Sequence, residues 1–324
     1  ASDVYKRQIT FLTKNHIPYK EYIPLSNFTG MNQIGILPLI VYPETIEQLK
    51  SIYLKAITDK LSFDILGGIT NTYLSNNYQR DIIIVTTKLK GIEKTNETIW
   101  VECGYSLTKI AWELSSEGIT GYEGFIGIPG TIGAAAINNS GAFNTSISNI
   151  VKKVKILTPQ GNVTDLTNKE LKYTNRNSIL KRNLGKGIVL YVELNTTNKD
   201  NVDNILNRIK IYNAFRKTQV DGKRKSLGSI FVSSSLKEIG RRHKIAIFTK
   251  KVINQPIKFF FHNTRINTFL DFLFLGKPSL AKHCDNLNRF CWQKNTKEDD
   301  FMEYLNYMQK LAGNQLKLEI EIRK

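Results

Sequence analysis

Over residues 42–57, YPETIEQLKSIYLKAI, the apolar positions Ile46, Leu49, Ile52, Tyr53 and Ala56 recur near helical spacing behind Pro43 and Glu44. That pattern predicts an amphipathic helix with one buried face. The runs FDILGG and DIIIVTT (81–87) are short, apolar and rich in β-branched residues; they predict buried strands, the first closing on a glycine turn. TIWVECGYS (98–106) predicts a third strand, leading into a helix over SLTKIAWELSSEG that stops at Gly118. IVKKVKILTPQGNVTDLT predicts two strands around a turn at Pro159, Gln160 and Gly161, and GIVLYVELNTT predicts another. Val202, Ile205, Leu206, Ile209 and Tyr212 mark a helix over 201–217 that suits a boundary, and Phe301, Tyr304, Leu305 and Met308 form one face of a later helix. In QLKLEIEIRK, Leu316, Leu318, Ile320 and Ile322 alternate with Lys317, Glu319, Glu321 and Arg323. This predicts a terminal strand with Glu319 and Glu321 on one face.

Length and charge sharpen this mixed α and β picture. A chain of 324 residues exceeds the roughly 250–300 at which a single core stops growing, so more than one domain is expected. Forty-six Lys and Arg against 28 Asp and Glu leave a net charge of +18, which suits nucleic acid, an anionic membrane surface, or substrates carrying phosphate and carboxylate. The basic clusters Lys223, Arg224, Lys225 and Arg241, Arg242, His243, Lys244 are short and lack a recognition-helix or RNA-binding motif. They read as a solvated face, with no nucleic-acid partner. Cys103, Cys284 and Cys291 show no paired metal spacing and leave an odd thiol, so neither a structural metal nor a disulfide framework is expected, and a reducing cytoplasm fits. Residues 1–8 read as a truncated or foreign leader outside the fold. The most apolar segment, IKFFFHNTRINTFLDFLFLG, is interrupted by Lys258, His262, Arg265 and Asp271, short of the roughly 18 apolar residues a membrane helix needs.

Against that charge, GFIGIPGTIGAAAINNSGAF (124–143) is twenty residues without a charge, holding five glycines and four alanines. A second glycine site, Gly67 and Gly68 in ILGGITNTYL, follows a predicted strand. Glycine tolerates positive φ and lets backbone N–H groups converge on phosphate oxygens; equally, Gly and Ala runs let elements pack tightly. Neither loop is a G-x-G-x-x-G fingerprint or a Walker loop, which disfavours nicotinamide-type Rossmann binding and P-loop hydrolysis.

ILGGITNTYL resembles the Leu-Gly-Gly-Gly-Ser-Asn-Leu-Leu loop, and GYEGFIGIPGTIGAAAINNSGAF the Gly-Ile-Pro-Gly-Thr-Val-Gly-Gly-Ala to Asn-Ala-Gly-Ala-Tyr-Gly segment, of the UDP-N-acetylenolpyruvoylglucosamine reductase family. LKYTNRNSILK, RKTQ with LGSIF, and LKLEIEI resemble further segments of that family in the same order. The resemblance implies an α+β chain: an FAD-binding fold of the vanillyl-alcohol oxidase type in two α/β subdomains (1–90 and 91–214), then a C-terminal α+β substrate domain (215–324). It implies FAD held noncovalently by Leu66, Gly67, Gly68, Ile69, Thr70 and Asn71, and by Gly127, Ile128, Pro129, Gly130, Thr131, Gly133, Ala134, Asn139, Gly141 and Ala142. NADPH would be the hydride donor, an anionic nucleotide sugar the substrate, and peptidoglycan precursor synthesis in the cytoplasm the setting.

The same resemblance assigns three reactive residues. Arg176 would hold and polarise the substrate carboxylate, a task suited to a permanently charged planar fork. Ser229 would protonate the carbon beside the hydride acceptor, with Ser233, Ser234 and Ser235 as competitors, and Glu321 would assist. His283 reads as structural. Three departures stand out: Ile69 and Asn144 replace family glycines, and Val232, Ser233 and Ser234 replace a Lys-Asn-Pro that helps grip the nucleotide sugar. They keep two other readings open, a divergent paralogue reducing another anionic nucleotide sugar for surface polysaccharide and a flavin-binding relative without turnover.

Overall fold

Ile82–Val85 is buried at all four residues and forms an inner strand, β5, flanked on both sides by parallel partners, as a strand apolar on both faces requires. A computed structural model describes residues 3–95, 97–219, 224–249, 252 and 264–324, in two units. Unit 1 comprises 1–23, 36–69 and 79–213; unit 2 comprises 24–35, 70–78 and 214–324. Segments 24–35 and 70–78, expected within the first subdomain, thus group with the C-terminal third. The division at 213/214 falls inside helix α7 (Val202–Gln219).

In unit 1 the first sheet runs β1 (Tyr19–Pro24), β2 (Ile36–Val41), β5, β3 (Phe63–Leu66). Helix α3 (Ile46–Thr58) is capped by Thr45, whose side chain accepts from the Gln48 N–H, and buries the five apolar residues its spacing singles out. The second sheet has the order β11 (Val163–Thr167), β10 (Val151–Leu157), β12 (Ile188–Asn195), β7 (Thr98–Glu102), β6 (Ile92–Lys94), antiparallel throughout. Helix α4 (Leu107–Ser116), capped by Ser106, buries Leu107, Ile110, Ala111 and Leu114. The segment read as a leader is corrected in part: helix α1 (Asp3–Lys14) begins within it and buries Leu12 and Gln8 in the unit 1 core.

Unit 2 is built around an aromatic cluster of Tyr73, Phe290, Trp292, Phe301 and Tyr304, with ring centroids 4.7 to 5.7 Å apart for Tyr73 against Phe301 and Trp292. Such contacts add about 0.5–1.5 kcal/mol each beyond the area buried. Its three-stranded sheet orders β13 (Lys225–Ser226), β15 (Arg289–Trp292), β14 (Cys284–Asn286). It also holds the short helices α2 (Leu25–Thr29) and α8 (Lys237–Arg242) and the longer α9 (Thr264–Phe274) and α10 (Glu298–Leu311). α10 buries the predicted Phe301, Tyr304, Leu305 and Met308. Lys223, His262 and the apolar run 257–261 lie outside the described residues.

The terminal strand is shorter than its alternation predicts. Leu318 bridges Phe231, the chain bends at 319–320, and only β16 (Glu321–Arg323) continues, pairing in parallel with β4 (Thr72–Leu74). Glu319 and Glu321 therefore stand on opposite sides of a bend rather than on one strand face. Alternation encodes which side chains go inward and says nothing about a change of pairing partner.

Candidate functional site

The uncharged stretch folds around helix α5 (Ile132–Asn138). Thr131 caps it by accepting from the Ala134 N–H, and Asn139 ends it in the left-handed conformation at φ 46°. Packing explains several glycines. A Cβ on Gly133 would lie 2.7 Å from Cys103 Cβ, on Gly67 2.5 Å from Thr131 Oγ1, on Gly124 2.7 Å from the Ala142 carbonyl, and on Gly141 2.0 Å from the Thr145 carbonyl. The two glycine loops, 66–69 and 124–143, are therefore pressed together within unit 1. Gly141–Ala142 (β8) forms a small hairpin with Thr145–Ser146 (β9). Burial pushes the Cys103 thiol up to about 12, in keeping with a packing role behind Gly133.

Other glycines serve the loop itself. Gly127 and Gly130 hold φ at 88° and 119°, and Gly127 and Pro129 are exposed while Thr131 and Ile132 are buried. The Ile128 and Gly130 carbonyls accept from Thr108 Oγ1 and the Leu107 N–H at 2.8 and 3.0 Å. Both departures from the family's glycines keep the conformation glycine favours: Ile69 sits at φ 56° and Asn144 at φ 59°. Asn tolerates that region, whereas a β-branched residue there stores about 1–3 kcal/mol of strain. At position 69 the backbone takes this shape against the preference of the residue that occupies it.

The charge bordering the stretch is neutralised locally. Glu123, 5% exposed, accepts from Arg208 Nη2 at 2.7 Å, from Thr120 Oγ1 at 2.8 Å and from the Gly121 N–H at 2.8 Å. Burial pushes its carboxyl up, but these hydrogen bonds outweigh burial and hold it below the usual carboxylate range.

Arg176 occupies a two-residue turn between Thr174 and Asn177, which exchange both backbone hydrogen bonds at 3.0 and 3.1 Å, and holds φ at 55°. Its Nη2 donates to the Gly141 carbonyl at 2.6 Å and its Nη1 lies 3.5 Å from the Asn139 carbonyl. Asn139 Nδ2 donates to the Thr174 carbonyl and Ser178 Oγ to the Ile137 carbonyl, at 2.9 and 2.6 Å. The arginine turn is thus fastened to the C-terminal end of α5, where unpaired carbonyls favour a cation.

Unit 2 gathers the other two assigned residues. Ser229 is exposed between buried Leu227 and Ile230. It follows Gly228, which holds φ at 79° with nothing within 4 Å of a Cβ. Asn288 clamps Phe231, two residues beyond Ser229, accepting from its N–H at 2.7 Å and donating to its carbonyl at 2.8 Å. The Ile230 carbonyl accepts from the Glu319 N–H at 2.9 Å, and the Asn71 carbonyl accepts from the Glu321 N–H at 2.9 Å. Asn71 Nδ2 returns a bond to the Glu319 carbonyl at 3.1 Å. The bend at 319–320 therefore ties the Ser229 segment, Glu321 and Asn71 together through backbone. Glu321 Oε2 lies 2.7 Å from Arg323 Nη2. Ser235, one competitor for the serine role, donates its hydroxyl to the Val232 carbonyl at 2.7 Å. His283 is 7% exposed, stacked on Phe290, with Nδ1 3.3 Å from Thr296 Oγ1 and Nε2 3.3 Å from Asp300. Asn288 was not singled out in sequence; it acts on a residue 57 positions away, and no periodicity signals such a clamp.

Tightly apposed glycine loops, positive-φ turns and an exposed uncharged Gly127–Pro129 backbone fit a dinucleotide whose phosphates need N–H groups and no Cβ. Residues 37–167 match the FAD binding domain family, so the chain is a flavoprotein of the FAD-binding class. The crystal structure of UDP-N-acetylenolpyruvylglucosamine reductase from Thermus caldophilus shares the fold at a TM-score of 0.65 and 20% identity, covering 95% of this chain and 99% of that one. The UDP-N-acetylenolpyruvoylglucosamine reductases of Bacillus pumilus and Lactobacillus acidophilus are 31% and 27% identical over 209 and 220 residues. These matches cover 64% and 68% of this chain, and 68% and 73% of the relatives. The chain belongs to the UDP-N-acetylenolpyruvoylglucosamine reductase family, and the α+β FAD-binding fold implied by its glycine segments is the fold it has.

Proposed function

We propose that the protein is an FAD-dependent reductase that uses NADPH to reduce the enolpyruvyl ether of UDP-N-acetylglucosamine enolpyruvate to UDP-N-acetylmuramate, in the cytoplasm, for peptidoglycan precursor synthesis. Bound noncovalently, FAD supplies hydride transfer between NADPH and the enolpyruvyl group. Leu66 to Ile69 and the Gly127 to Ala142 residues named above hold it, joined by Thr70 and Asn71. Arg176 holds and polarises the substrate carboxylate, Ser229 donates the proton to the carbon beside the hydride acceptor, and Glu321 assists the transfer. Residues 215–324 supply the substrate domain.

The observation that carries this reading is the Arg176 turn, which fastens a permanent cation by a 2.6 Å bond to the end of a loop system that has no charge of its own. Such a cation is suited to a carboxylate that gathers negative charge as hydride arrives. The purified protein is expected to be yellow and to be bleached by NADPH, then reoxidised without oxygen by UDP-N-acetylglucosamine enolpyruvate. Ser229→Ala should leave bleaching intact and slow reoxidation by about 100-fold or more, the usual worth of a positioned acid. Equal loss of both steps would remove Ser229 from the acid role.

A second reading follows from Ser233 and Ser234, which are exposed in a short 3-10 turn where the family carries Lys-Asn-Pro. The missing cation and amide favour a different anionic nucleotide sugar. Anaerobic reoxidation by such a sugar, and not by the enolpyruvyl compound, would select that reading.

A further inference from the structure

A stripe of bulky apolar side chains projects from unit 2 into solvent. Residues 244–249 and 252 are helical, and Ile245, Phe248 and Val252 are 84%, 68% and 57% exposed. Ile245 and Phe248, three residues apart, share one side of the helix. Scattered apolar residues on a surface are ordinary, but an aligned set this exposed marks a contact surface. The segment is anchored rather than trailing. Ile239 of α8 is 2% exposed, His243 Nε2 lies 3.1 Å from the Leu311 carbonyl, and the Ile247 N–H donates to the His243 carbonyl at 3.1 Å.

The charge around the stripe has one dominant sign. Residues 236–252 carry six Lys and Arg against one acidic residue, Glu238, and Lys237, Arg241, Arg242 and Lys244 are exposed. Glu238 is paired with Arg241 at 2.7 Å, so the excess stays positive. A second copy of the chain would bring the same positive charge to the contact and be repelled. An apolar stripe bordered by cations matches an anionic lipid surface, where the side chains enter the acyl boundary and the cations meet headgroups. Among the described residues no helix is long and apolar enough to cross a membrane, so this association would lie on the surface.

We propose that residues 237–249 form a peripheral docking site for anionic lipid, seated by Ile245 and Phe248. The experiment is co-sedimentation of the full flavin-loaded chain with phosphatidylglycerol/phosphatidylethanolamine vesicles and with phosphatidylcholine vesicles. Binding to the first, weakened by salt, and none to the second is expected. Ile245→Asp/Phe248→Asp should abolish it, and Lys237→Gln/Lys244→Gln should lower the partition coefficient about 25-fold, roughly fivefold per cation. Flavin absorbance reports that each variant is folded. Equal binding to both vesicle types, no sedimentation, or wild-type binding by the folded variants would overturn the proposal. So would capture by polyglutamate with no vesicle binding, which would point to an acidic protein partner.

Discussion

Arg176 and Ser229 are positioned by opposite means. Arg176 is fixed through its side chain, with the guanidinium bonded to the carbonyl of Gly141 and the turn beneath it bonded to Asn139. Ser229 is fixed through its neighbours: its side chain is exposed, while Leu227, Ile230 and Phe231 are buried and Asn288 and the 319–320 bend hold the adjoining backbone. A permanent charge can be anchored by its surplus of donors and still present others. A hydroxyl has one proton to give, so the scaffold secures the chain around it and leaves the group itself uncommitted.

Gly141→Ala attacks the first arrangement most severely, because its Cβ would meet backbone at 2.0 Å. A loss of about 3 kcal/mol and of bound flavin is expected, read by thermal melting and flavin absorbance. Asn288→Ala attacks the second. It strands the buried Phe231 N–H and carbonyl, should cost about 2 kcal/mol, and should slow reoxidation by substrate more than bleaching by NADPH. A wild-type ratio of those two rates would mean that Ser229 does not depend on this clamp.

A smaller effect separates the units by pH. Burial lowers the His283 pKa in unit 2, against a weaker upward pull from Asp300. The folded state then binds its proton less readily than the unfolded chain, so stability is full above the unfolded value of about 6.5 and falls as pH drops through the lowered one. His283→Gln should flatten the acid side of the melting profile. Ile69→Gly should be smaller still and opposite in sign, since relief of the positive-φ strain is worth about 1 kcal/mol. A fall in melting temperature would show that the isoleucine side chain contributes more than its backbone costs.

Local physics was legible in the sequence. The spacing in 42–57 foretold the buried face of α3, Phe301 to Met308 foretold that of α10, and β-branched runs foretold β5 and β12. The glycine loops announced themselves by small residues without charge, although their division into packing glycines such as Gly133 and turn glycines such as Gly127 depends on neighbours that no local pattern records. The positive φ of Arg176 and Ile69 runs against residue preference and was invisible. The bend at 319–320 was equally hidden, because its partners are Ile230 and Asn71, remote along the chain.

The parallel pairing of β16 with β4 brings residues 321–323 against residues 72–74. Ribosomal synthesis releases β4 long before β16, so β4 waits, its edge uncovered, until that far later strand emerges. Unit 2 therefore closes late, with the slow kinetics of long-range pairing and an interval in which chaperones or aggregation compete for an open strand.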